Sequence, residues 1–166
     1  GLSYAMNPFD EFAVEEAIRL KERVAGSTVT AITLGAASAD AVLRDAISRG
    51  CDAAVLVSGP EFEGGDSYAT SRTLAAAIQK ISADKPVHVA LFGKNTNDGN
   101  SGVVGGQTAA WLNWPGVLSV KKIDSIDEKS AVVWRAMEDG TEVVKVQLPA
   151  AISTVITRPS ATETPA

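Results

Sequence analysis

The chain has 166 residues and a mass of 17.2 kDa, which fits one compact domain and leaves little room for a second. Its 45% hydrophobic and 21% charged residues exclude the disordered and fibrous classes. The net charge of −5, with no basic block, argues against binding to nucleic acid or to an anionic membrane surface.

The chain has only one cysteine and one histidine, and these counts exclude two further classes of site. One cysteine, Cys51, cannot form an internal disulfide framework, and one histidine, His88, cannot form a histidine-rich metal site. We therefore predict no metal centre. No apolar run approaches the roughly 18 residues of a membrane span, so we expect a soluble domain without membrane insertion.

The first predicted element is a helix that starts at residues 7–10. An asparagine that can cap the helix, a proline suited to its first position and an aspartate that can close a capping box stand here in sequence. Gly26 and Ser27 end this helix. No strand is predicted before it, so the chain is expected to open on a helix. The small, polar residues 158–166 are expected to form a flexible tail.

Short apolar strands and helices then alternate along the chain. The predicted strands are 29–34, 53–57 and 87–92, and the predicted helices are 41–48, one starting at Asp66 or Ser67, and 109–112. This alternation is typical of an α/β fold, a mostly parallel sheet with helices on both faces.

The pattern changes after Pro115. Four further strands are predicted at 118–123, 131–137, 143–148 and 152–156. Asp139-Gly140 between two of them is a strong signal for a two-residue hairpin. The sequence therefore predicts C-terminal antiparallel strands joined to the parallel sheet.

The most informative stretch for function is a predicted glycine-rich loop at residues 93–106. It contains five glycines, follows a predicted strand and leads into a helix. Ligands of open parallel sheets bind beyond the carboxyl ends of strands, and glycines let a ligand approach backbone amides there. A helix N-terminus adds donors for a phosphate. The glycine spacing matches neither a P-loop nor a dinucleotide fingerprint, so the stretch is either a nucleotide site or a long surface loop.

Candidates for catalysis are few. His88 is interpreted as a packed or hydrogen-bonded residue, and Cys51 as a small buried one. The acidic residues of the first helix, Glu16 among them, are interpreted as solvated charges that favour the helix dipole. Trp111 and Trp114 are assigned to a core or an interface. No set of acid, base and nucleophile stands out, so we predict no catalytic residue.

Several segments together resemble the β subunit of electron transfer flavoproteins. They are residues 7–17, 43–46 with 50–52, 91–94 with 98–99 and 111–115, and 140–150. Each motif is weak alone, but their shared order makes the resemblance fairly specific. It extends from Met6 to Thr157 and implies one nucleotide-binding domain over residues 1–157.

The resemblance implies an adenine nucleotide α-hydrolase-like, Rossmann-like sheet in a heterodimer with an α subunit. In this family the α subunit mainly holds FAD, and the β subunit binds AMP or, in electron-bifurcating members, a second FAD. Such a protein is an electron carrier between flavin dehydrogenases and a downstream acceptor. It works in the bacterial or archaeal cytoplasm or in the mitochondrial matrix. The family's first strand is expected to be missing from this chain, and the C-terminal segment with which the family's β subunit embraces the α subunit is not recognised after Thr157.

Carried over by position, the resemblance assigns the nucleotide contacts to two short segments and one strand end. The residues are Asn7, Pro8, Phe9, Asp10, Leu34, Gly93, Lys94, Asn95, Thr96, Asn97, Asp98, Gly99, Asn100, Ser101, Gly102, Val103 and Val104. Val103 stands where the family commonly has glutamine, so recognition here is expected to depend on the backbone.

Two alternatives of other classes remain open at this point. One is a stand-alone adenine-nucleotide-binding module that resembles universal stress proteins and forms homodimers. The other is an enzyme resembling ATP pyrophosphatases, of whose phosphate loop residues 64–67 are only a faint echo.

Overall fold

The computed structural model describes residues 2–7, 11–34, 40–57, 67–93 and 100–155. The elements are β1 Ser3–Asn7, α1 Glu11–Arg23, β2 Thr28–Leu34, α2 Asp40–Arg49, β3 Ala53–Val57, α3 Ser67–Asp84, β4 Val89–Phe92, α4 Asn100–Leu112, β5 Gly116–Ile126, β6 Ser130–Met137, β7 Gly140–Gln147 and β8 Ala150–Thr154. None of these helices is both long enough and apolar enough to cross a membrane.

Within these residues the strands form one sheet in the order β3-β2-β1-β4-β8-β5-β6-β7. The six strands from β3 to β5 run parallel to their neighbours, while β6 is antiparallel to both β5 and β7. This confirms the predicted α/β fold with C-terminal antiparallel strands.

The central strands are buried on both faces because helices cover both. In β1, Tyr4 and Met6 pack with α1 and α2, whereas Ala5 between them packs with α3 and α4. In β4, Leu91 and Phe92 divide in the same way. Side chains that alternate between two apolar layers explain why these strands appear in the sequence as continuous apolar runs.

The strand β1 corrects the expectation that the chain opens on a helix. Ser3–Asn7 lies in the middle of the sheet, with Tyr4 in register with Val29 of β2 and Val89 of β4. Five residues with polar ends carry little strand signal of their own. Burial between two neighbouring strands outweighs that weak local preference.

The last four strands divide between two arrangements. The strands β5, β6 and β7 form an antiparallel meander, which we call the arm (residues 116–147). Its second turn confirms the predicted two-residue hairpin but shifts the loop by one residue: Met137 pairs with Gly140, so the loop residues are Glu138 and Asp139. The φ of Gly140, 141°, is one that glycine tolerates. The strand β8 instead returns to the parallel sheet between β4 and β5, an order that local sequence does not specify.

The prediction of a loop at residues 93–106 is wrong for residues 100–106, because α4 already begins at Asn100. Three glycines in its first two turns lower the helix propensity, so the sequence predicted helix only from residue 109. Packing compensates for that low propensity: Val104 and Ala109 are buried in the core on the α3 side of the sheet.

Candidate functional site

The sheet has its topological switch point between β1 and β4. The chain leaves β1 for α1 on one face and leaves β4 for α4 on the other face. Strands β2 and β3 extend the sheet on one side of this pair, and β8 and β5 extend it on the other. Because the two connections diverge, the carboxyl ends of β1 and β4 border a crevice, where α/β proteins bind ligands.

The floor of this crevice is apolar and closed. Asn7 and Phe92 are register partners at its edge, and Met6, Leu91 and Phe92 are each at most 2% exposed. The Thr154 hydroxyl of β8 donates a hydrogen bond of 3.2 Å to the Phe92 carbonyl. The cavity beneath, about 10 Å³, has room for no more than a water molecule. A ligand of nucleotide size must therefore lie above the strand ends.

The helix α4 places its N-terminus beside this crevice. It starts at Asn100, seven residues after Gly93, and runs back along the sheet over β8 and β5. The first amides of a helix have no partner within the helix and carry a partial positive charge. These donors lie at the same edge of the sheet as the carboxyl ends of β1 and β4.

The structure brings the described part of the predicted nucleotide site to one edge of the sheet. Asn7 and Leu34 are the last residues of β1 and β2, and the buried Gly93 directly follows β4. Residues 100–104 form the first turn of α4 and the start of its second. Val104 is 5% exposed and packs in the core, so its side chain is not available to a ligand. The predicted contacts Pro8, Phe9, Asp10 and residues 94–99 lie outside the described residues.

Charge is sparse where these strands end. The carboxyl-terminal residues Asn7, Leu34 and Phe92, with the following Gly93, are all uncharged. Among the described residues of this edge, hydrogen-bonding capacity thus comes from uncharged groups, namely the backbone and the hydroxyls of Ser153 and Thr154 at the end of β8. That is the composition expected of a site that recognises an anion through N–H groups rather than through lysine or arginine.

His88 and Cys51 lie at the opposite edge, where β4 and β3 begin. The Ser3 N–H donates to His88 Nδ1 at 3.2 Å, which confirms the prediction of a hydrogen-bonded histidine. Cys51 is 6% exposed, which confirms a buried packing role, and burial raises the pKa of its thiol. A buried, protonated thiol is a poor nucleophile.

The prediction of solvated acids on the first helix is wrong for Glu16. This residue is 6% exposed, and its carboxylate accepts a hydrogen bond from the Ile123 N–H of β5. Burial raises the pKa of Glu16, and the hydrogen bond and nearby Arg19 only partly oppose the rise. One signal was present: Glu16 lies four residues before the buried Leu20, on the apolar face of the helix.

Arg23, two turns further along α1, completes this link. It donates to the carbonyl of Ile123 at 2.7 Å and to that of Asp124. Sequence reasoning did not single out Arg23, since an arginine in the last turn of a helix also fits a purely dipolar role. Together Glu16 and Arg23 attach the arm to α1, at a distance from the crevice.

The two tryptophans near the end of α4 differ in burial. Trp114 is half-buried and packs against the core on the α3 side, as predicted. Trp111 is 42% exposed, with the Arg72 guanidinium 5.9 Å from its ring centre, so a core role is wrong for it. Neither residue is at the strand ends that border the crevice.

A parallel sheet with helices on both faces and a crevice at its switch point defines a Rossmann-like α/β protein. The electron transfer flavoprotein domain family matches residues 1–166, and the chain belongs to this family. The predicted resemblance is thereby confirmed, and the match favours it over the universal stress protein and ATP pyrophosphatase alternatives.

Curated relatives agree with this assignment. Caffeyl-CoA reductase-Etf complex subunit CarD of Acetobacterium woodii is 41% identical over 93% of this chain and 58% of that protein. Protein FixA of Azotobacter vinelandii is 41% identical over 92% and 55%. Electron transfer flavoprotein subunit beta of Thermoanaerobacterium thermosaccharolyticum is 37% identical over 93% and 57%. The chain thus spans little more than half the length of the curated relatives it matches.

Proposed function

We propose that this chain is the nucleotide-binding part of a β-type subunit of an electron transfer flavoprotein. The complete protein would pair with an α subunit that holds FAD and would carry electrons from flavin dehydrogenases to an acceptor. Family membership and the similarity to subunits named for electron transfer support this role. The chain's own task is binding and positioning rather than transformation of a substrate.

The single observation that carries the proposal is that the chain leaves the neighbouring strands β1 and β4 toward opposite faces of the sheet, which makes their carboxyl ends a topological switch point. An adenine nucleotide would lie above the closed apolar floor of Met6 and Phe92. Its phosphate would meet the amides that follow β4 and those at the start of α4, the predicted segment 93–104. Residues 7–10 and Leu34 would border its other side.

The resemblance to the β subunit of electron transfer flavoproteins supports AMP as the resident nucleotide of this chain, and we propose it here. Backbone amides and a helix N-terminus can hold a phosphate without a strongly charged side chain. FAD is the alternative, because its diphosphate can use the same amides.

Acid extraction of the purified complex with its α subunit tests this proposal. Chromatography of the extract should give one AMP and one FAD for each complex of a plain electron carrier. Two FAD and no AMP would keep the site but assign it to electron bifurcation. An extract with one FAD and no second adenine nucleotide, from a complex never exposed to denaturant, would overturn the proposed site.

A further inference from the structure

Gly105 lies where α4 approaches the sheet most closely. It is buried, and a Cβ placed on it would lie 2.2 Å from Ser153 Oγ of β8 and 3.5 Å from the Phe92 ring. The next residue, Gly106, has nothing within 4 Å of such a Cβ. Of these two adjacent glycines, Gly105 therefore has no room for a side chain, whereas Gly106 has open space beside it.

A second close approach lies further along the same helix. A Cβ on Gly116, at the start of β5, would lie 3.1 Å from the Ala109 side chain. The Thr108 hydroxyl, which is fully buried, donates to the Val104 carbonyl within the helix. The helix thus rests on β8 near its N-terminal half and on β5 near its C-terminal half. These two points of contact fix its height and tilt over the sheet.

The contact at Gly105 is the one nearer the crevice. Gly105 lies five residues after Asn100, or about 7.5 Å along the helix axis at 1.5 Å per residue. Ser153 precedes Thr154, which holds the Phe92 carbonyl at the end of β4. A methyl group at position 105 would overlap the Ser153 hydroxyl, which is 6% exposed and enclosed between α4 and β8, so we expect the start of α4 to move away from β8 and from the strand ends.

We propose that the contact between Gly105 and Ser153 sets the position of the α4 N-terminus over the crevice. Both are positioning residues for the nucleotide phosphate, an inference that rests on the proposed function. The backbone amides can grip a phosphate only at a fixed distance from the end of β4, and a close-packed contact provides that distance. Glycine is required here because of a neighbour, not because of its own backbone conformation.

The test compares Gly105→Ala with the matched control Gly106→Ala in the nucleotide-stripped complex. Both changes favour the helix equally, so only the environment differs. Calorimetric titration should show AMP binding at least tenfold weaker in Gly105→Ala and within twofold of wild type in Gly106→Ala. Adenosine, which lacks the phosphate, should bind within twofold of wild type in both variants, a pattern that general destabilisation would not give.

A second change separates the contact from other effects of the new methyl group. In Gly105→Ala with Ser153→Ala the nearest neighbour of the new Cβ is the Phe92 ring at 3.5 Å, an ordinary contact distance. AMP affinity should return to within threefold of wild type. If Gly105→Ala alone does not fold, the AMP affinity of this double variant is measured in its place.

Each outcome is decisive. Equal AMP affinity in wild type and Gly105→Ala would overturn the positioning role while leaving the proposed function intact. So would a loss that Ser153→Ala does not reverse, or an equal loss for adenosine. Failure of the wild-type complex to bind either AMP or FAD would overturn the proposed function and this inference with it.

Discussion

The parallel strands and the arm differ in what their side chains do. Each residue of β4 and of β8 is buried, because helices or neighbouring strands enclose them on all sides. In β7 of the arm, only Val146 is buried, and five of its eight residues are exposed. A fully buried strand has no free side chains to offer a ligand, so the nucleotide contacts that we propose use the backbone at its end. An exposed strand keeps its side chains free.

The attachment of the arm combines apolar and polar contacts. Parallel strands are fixed by their pairing and by apolar packing of both faces. In the arm, Ile123, Val133 and Val146 belong to the same apolar core as α1. The far end of β5 continues beyond its pairing with β8, and there Glu16 and Arg23 of α1 add polar contacts.

The largest expected effect tests the difference in burial between β4 of the parallel sheet and β7 of the arm. Leu91→Ala, at a fully buried position of β4, should lower the free energy of unfolding by about 2–5 kcal/mol through lost contacts and a cavity. Val143→Ala in β7, where the side chain is 47% exposed, should change it by less than about 0.5 kcal/mol. Urea denaturation measures both. Similar losses for the two variants would mean that the arm is as tightly packed as the sheet.

The next prediction breaks the attachment of the arm. Arg23→Met removes two hydrogen bonds to β5 carbonyls and should cost about 1–2 kcal/mol. Hydrogen exchange should quicken in residues 120–126 and stay unchanged in β4. The control Arg44→Met removes an exposed ion pair with Asp40 within α2 and should cost under about 0.5 kcal/mol. Unchanged exchange in β5 would show that packing alone holds the arm.

A smaller effect concerns the buried carboxylate. Since the pKa of Glu16 is raised in the folded protein, its contribution to stability is complete below the ordinary value of 4.5 and is lost as pH rises through the raised pKa. Glu16→Gln keeps an acceptor for the Ile123 N–H and does not titrate. It should match wild type near pH 4 and be more stable than wild type at pH 7, with the difference growing as pH rises through the raised pKa. A less stable variant at pH 7 would reverse this sign.

The smallest expected effect has the opposite sign and lies among the parallel strands. The Asp52 carboxylate accepts from the Val29 N–H at 2.9 Å and pairs with Lys21 at 2.9 Å. Burial pushes its pKa up, but these two groups outweigh burial and hold it below 3.8. Its stabilising contribution is therefore present at neutral pH and is lost as pH falls through the lowered pKa.

Asp52→Asn tests that contribution against pH. The variant should lose about 0.5–1 kcal/mol at pH 7, because the pair is partly exposed to solvent. The difference from wild type should shrink as pH falls below 3.8. Thermal unfolding across this range measures it, and a difference that grew toward acid would contradict the assignment.

The sequence predicted the elements whose signals are local and missed those fixed by distant neighbours. The apolar strand 53–57 and the hairpin between β6 and β7 were found because a few adjacent residues specify them. The strand β1 was missed because its stability comes from pairing with β2 and β4. The first half of α4 was missed because Gly105 weakens the helix locally to satisfy a contact with Ser153.

The candidate site was predictable in part for the same reason. A glycine-rich segment after an apolar strand was visible in the sequence, as was the resemblance of its neighbours to a known family. The crevice itself depends on the strand order, since only the placement of β1 beside β4 makes their ends a switch point. No local pattern specifies that order.

The most direct test follows hydrogen exchange of the amides in residues 93–104 in the nucleotide-stripped complex. Adding AMP should slow exchange in this segment more than anywhere else in the chain, and adenosine should slow it less. That result would place the phosphate on these amides. Protection that appears at another surface, or equally with adenosine, would contradict the proposed site.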